Sequence, residues 1–140
     1  MASKYPSNAS LKIDDMTVNV FSSTAGITSV QDGTSGMPVM GSMVPTLEFS
    51  ADIHDQHAVP FATVKQLYEL CYLPTKDKIK NIKIEFWTDE NRNEAILSLS
   101  FKGWVSSWIV TSGGGGNHVL SISVQPTLSN NQYTEMTIGN

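Results

Sequence analysis

The chain has 140 residues, a single cysteine (Cys71), and charged side chains at only 16% of positions. One cysteine excludes both an internal disulfide framework and a cysteine-cluster zinc site. No apolar run approaches the ~20 residues that span a bilayer, so no membrane insertion is expected. The first residues, MASKYPSNASLKIDD, lack the apolar core that a signal peptide requires. The expectation is therefore a protein made soluble in the cytoplasm; if it is exported, something other than a cleavable signal carries it. A formal net charge of −4 argues against a nucleic-acid backbone as partner. No long-period repeat and no alternation of helix with strand is present, which removes solenoids and parallel α/β sheets.

What is present is mostly strand pattern. Apolar residues make up 40% of the chain, too many for disorder at this charge. Residues 11–21 alternate as Leu11, Ile13, then Met16, Val18, Val20, with Asp14-Asp15 at the change of phase. This is a strand, a turn and a strand, or one bent strand with a bulge. Residues 25–32 fit a further short strand, and in TLEFSADI (46–53) Leu47, Phe49, Ala51 and Ile53 share a face. Pro60 can open a helix as its first residue, and Phe61, Val64, Leu67, Tyr68 and Cys71 follow at helical spacing. That stripe predicts a buried Cys71 thiol, and Pro74 predicts the helix end.

Beyond it, Ile82, Ile84 and Phe86 face Ala95, Leu97, Leu99 and Phe101 across a polar TDENRNE turn, the pattern of a hairpin. Gly103 breaks the alternation as at a bulge or barrel corner. Two strands then flank the run Gly113, Gly114, Gly115 and Gly116, and YTEMTIGN ends the chain with one more strand pattern. The reading is one domain over residues 1–140: mainly β, a small barrel of two packed antiparallel sheets with one helix on its side. Residues 32–45 form an extended loop rich in glycine and methionine and poor in charge. Three of the six methionines, Met37, Met40 and Met43, lie there. The loop reads either as a floppy tether or as an adaptable contact surface, which methionine suits and which makes these residues candidate contacts.

Catalytic patterns are missing. There is no G-x-S-x-G nucleophile motif, and the glycine run lacks a phosphate-binding lysine and opens into a strand, not a helix. ADIHDQH places Asp52, His54, Asp55 and His57 close together, but His-x-x-His with scattered acids before a helix is common by chance. His118 has no acid neighbour in sequence. Trp87, Trp104 and Trp108 would suit a sugar platform, yet buried corner tryptophans explain them as well. The reading assigns no catalytic residue, metal or cofactor, and points to contact rather than catalysis.

Three stretches carry a family resemblance: FKGWVSSWIVTSGGGGNHVLSISVQP, VPTLEFSADIHDQHAVPFATVKQLYEL, and the uncharged DGTSGMPVMGSM. In this order they resemble the haemolysin-coregulated protein (Hcp) family, the inner-tube proteins of type VI secretion systems, within the wider group of contractile-injection and phage tail tubes. The residues after Gln125 depart from the commoner form of that family. The resemblance implies a β-barrel flanked by one helix, assembling as homohexameric rings that stack into a hollow tube. It further implies expulsion by sheath contraction, contacts with sheath, spike and baseplate proteins, and effectors carried in the lumen. Export through the apparatus would then need no signal peptide. Subunit contacts would fall on Met37, Met40, Met43 and Gly113–Gly116, where bare backbone lets rings abut. Ser98, Ser100, Ser121 and Ser123 would line the lumen. A phage tail tube protein is the nearest alternative, and a monomeric carbohydrate-binding β-sandwich is one of a different class.

Overall fold

A computed structural model describes residues 6–29, 31–37, 44–54, 59–73, 75–89, 91–113, 118–127 and 137–139. The Asp14-Asp15 phase change is a two-residue turn: β1 (Ala9–Ile13) pairs antiparallel with β2 (Met16–Val18), with Ile13 opposite Met16. Asp14 sits at φ 50°, a left-handed conformation that aspartate tolerates better than most residues. β3 (Ser22–Thr28) begins three residues before the sequence pattern suggests and pairs with β4 (Val44–Asp52).

The predicted hairpin is β5 (Lys80–Trp87) against β6 (Ala95–Ser112), with Ile82 opposite Phe101, Ile84 opposite Leu99 and Phe86 opposite Leu97. β6 is 18 residues long and organises everything else. Its first half pairs with β5; its second half pairs with β7 (His118–Pro126). The order across the sheet is β2-β1-β5-β6-β7-β4-β3. Two antiparallel layers therefore share β6, and their inner faces meet in one core. Leu11, Ile13, Ile82, Ile84 and Phe101 come from one layer; Leu47, Phe49, Leu120, Ile122 and Val124 come from the other. The mainly-β fold with a single helix is as expected, but the sheet is not closed: β2 and β3 remain its two ends among the described residues.

Gly103 is not a bulge. β6 runs straight through it, and the register shift falls between Val105 and Ser107. A Cβ on Gly103 would lie 2.2 Å from the Gln125 carbonyl oxygen, so glycine is required by close backbone approach.

The chain end extends the same edge. Thr127 donates its N–H to the Lys102 carbonyl at 2.8 Å, and β8 (Thr137–Gly139) pairs with Ser98–Ser100 of β6. β7, Thr127 and β8 thus lie in line along one side of β6, interrupted only by residues 128–136, which fall outside the described residues.

The helix α1 (Phe61–Cys71) packs against β6. Pro60 stands one position earlier than expected, at the N-cap, with φ −61° and ψ 152°. Only Leu67 is fully buried; Val64, Leu70 and Cys71 are partly buried. The helix ends at Cys71, and Leu73 follows at φ 46°. Pro74, the expected stop, lies outside the described residues. Among the described residues no helix is long and apolar enough to cross a membrane.

Candidate assembly surfaces

The charge-poor loop opens with local order. Asp32 Oδ1 accepts the backbone N–H groups of Thr34 (2.8 Å) and Ser35 (3.4 Å). The Asp32 N–H donates to the Met37 carbonyl at 2.7 Å, and Gly36 closes the turn at φ 75°. The two backbone donors hold the Asp32 carboxyl below its ordinary value. Met37 emerges from this turn 60% exposed; Met40 and Met43 lie outside the described residues.

At the base of the same loop Ile27 (61% exposed) stands opposite Pro45, and Val44, also exposed, stands opposite Thr28. Ile27, Val44 and Met37 thus carry apolar surface from the strand ends into the loop. Sequence reasoning missed Ile27 and Val44, because an apolar residue in a strand reads as core unless the edge position is known.

A second apolar surface follows the helix. Phe61 is 73% exposed, and Tyr68, Tyr72 and Leu73 are exposed with it, so the expected stripe of Phe61 and Tyr68 does not face the core. Tyr68 meets the Trp108 ring edge-on at 5.3 Å and stacks with Tyr72 at 5.6 Å. Ile109 and Val110 are exposed on the last part of β6. That strand leads into Gly113, whose added Cβ would meet open space; Gly114, Gly115 and Gly116 lie outside the described residues.

Ser98, Ser100, Ser121 and Ser123 are half-buried on the face opposite the core, as alternation requires. Ser98 stands beside Glu85 and Ser100 beside Lys83, while Ser121 faces Ser50 and Ser123 faces Glu48. The outer face carries these hydroxyls and a few charges, with the exposed Ile96 and Ile109 among them.

The histidine stretch behaves differently from its sequence pattern. Asp55 and His57 lie outside the described residues. His54 stacks on His118, with ring centroids 4.6 Å apart and planes at 20°. Its Nδ1 accepts the His118 backbone N–H at 2.9 Å. Among the described residues no three His, Cys, Asp or Glu side chains are grouped to hold a metal ion. Cys71 is a partly buried free thiol. Trp87 donates its indole N–H to Ser10 Oγ at 3.2 Å, and Trp108 packs on the core. Trp104 lies on the opposite face of β6 beside Gln125, so Trp104 and Trp108 share no platform.

Two layers joined through one long strand, with a single flanking α-helix among the described residues, define a class of small β-rich domains. Solved structures narrow the class to the Hcp fold. Hcp1 of E. coli EAEC 042, in a mutant form, superposes with a TM-score of 0.61 at 10% identity, covering 94% of this chain and 97% of that one. Hcp1 from Flavobacterium johnsoniae gives 0.59 at 10% identity, covering 94% of each chain. A type VI secretion system effector from Yersinia pestis gives 0.55 at 12% identity, covering 94% and 96%. At these identities the likeness is one of fold. No family model and no curated protein matches the chain.

Proposed function

We propose that this protein is a structural tube subunit of a type VI secretion apparatus: rings of identical copies stack into a tube that is expelled on contraction. The observation that carries the reading is coverage. The likeness to Hcp1 structures takes in 94% of this chain and 97% and 94% of the two others. The exposed apolar groups support it, since Ile27, Val44 and Met37 at one place and Phe61, Tyr72 and Leu73 at another are poor surface for a lone soluble domain. A repeated self-contact would cover them. On this reading the serine-bearing outer face lines the lumen. The partners are further copies, the sheath, spike and baseplate, and effectors in transit, with contact and not catalysis as the task. Assembly takes place in the cytoplasm and export follows through the apparatus.

Negative-stain electron microscopy and size-exclusion chromatography of the purified chain test this directly. Rings of uniform diameter, stacking at high concentration, are expected. A monomer at every concentration overturns the proposal, and glycan binding by that monomer would favour the carbohydrate-binding alternative.

A further inference from the structure

β4 ends at Asp52 and β7 begins at His118, at the foot of the glycine run, and His54 stands between them. Its Nδ1 lies 2.9 Å from the His118 backbone nitrogen and 3.9 Å from Asp52 Oδ1. That carboxylate oxygen is held in place because it accepts the backbone N–H of His54 itself at 2.9 Å. An N–H can only donate, so the present arrangement requires a bare lone pair on Nδ1, with the ring proton of neutral His54 on Nε2.

We propose that His54 is a pH-operated fastening between the end of β4 and the start of β7. In the neutral ring Nδ1 holds the His118 amide. A proton taken from solvent onto Nδ1 makes it a donor facing a donor, and the ring turns to the waiting Asp52 carboxylate. The His118 amide is released. Among the described residues the titratable groups facing His54 are Asp52 from β4 and His118 from β7; β6 contributes the uncharged Ser112 hydroxyl, which bonds His118 Nδ1. Among the described residues the Ile53 N–H also ties to the His118 carbonyl at 3.3 Å, a bond that involves no titratable atom. Protonation therefore frees the His118 amide without unpairing the sheet. The device works within one chain and holds whether or not copies assemble.

Imidazole and amide 15N spectra of the full chain, followed from pH 8 to pH 5, test it. The expected result is His54 as the Nε2–H tautomer at the upper end. On acidification its ring and the His118 amide should shift together, and the protection of that amide against exchange should fall about tenfold, the weight of one ordinary hydrogen bond. His118→Phe keeps the backbone N–H and a ring to stack, so the amide transition should persist there. An Nδ1–H tautomer at neutral pH, or unchanged His118 protection across the range, overturns the proposal. If the variant fails to fold, the tautomer and protection of the unaltered chain still decide.

Discussion

Gly103 and Gly26 occupy strands in the same sheet, and a methyl group meets opposite surroundings at each. At Gly103 a Cβ would enter the Gln125 carbonyl; at Gly26 it would meet nothing within 4 Å. Gly103→Ala should destabilise by roughly 1–3 kcal/mol, because backbone on both strands must shift. Gly26→Ala should be neutral or stabilising by up to ~1 kcal/mol, through the unfolded chain alone. Urea denaturation of the two variants checks the contrast.

Asp32 gives a second test at this scale. Its carboxyl is lowered by the Thr34 and Ser35 amides, so the order it confers is fully present above the unfolded aspartate value and is lost as pH falls through the lower, folded one. Asp32→Asn retains an acceptor oxygen and should abolish this acid-limb change in the Thr34 and Ser35 amide signals, while Asp32→Ala should lose the turn at every pH. The Asp-Gly-Thr-Ser string contains this turn chemistry, but composition alone showed only a charge-poor loop. The meeting of His54 with His118 was not legible at all. It joins residues 64 positions apart, and only the pairing of β4 with β7 brings them together.

The helix shows where periodicity stops being informative. Spacings of three and four found α1 correctly, yet two of the five residues in the predicted stripe, Phe61 and Tyr68, are exposed. Period gives a face; what covers that face depends on the neighbours available, and here β6 covers only the line through Leu67. The helix has no side-chain cap, no acid in its first turn and no base in its last, so packing must hold it. Leu67→Ala should therefore cost about 2–5 kcal/mol in thermal or chemical unfolding. The strands were easier to read, because alternation flips every side chain on a one-residue slip and so fixes register wherever one face is buried. β6 reads as two strands around Gly103 because a glycine inside a strand pattern marks either a bulge or a close approach, and sequence does not separate the two.

Tube formation belongs to the whole molecule, and so does its test. In the proposed assembly each contact recurs around every ring, so a modest local penalty is multiplied by symmetry. Gly114→Gln with Gly115→Gln, and separately Met37→Asp with Met40→Asp and Met43→Asp, should leave melting and circular dichroism near normal while shortening or abolishing tubes in electron micrographs. Tubes as long as the parent's would place both loops in solvent.

The collinear run of β7, Thr127 and β8 along β6 makes the chain a natural host for grafted sequence. Both ends of residues 128–136 are pinned to one edge, at Lys102 and at Ser100, so the register of the sheet does not depend on how much chain lies between them. Loop closure grows only logarithmically with length, and doubling this stretch with Gly-Ser repeats should cost about 0.6 kcal/mol in denaturant titrations. A tube built from such subunits would carry the same foreign peptide on every copy, displayed at a regular pitch. Lineages that lengthen this stretch would gain new surface without disturbing the pairing along β6.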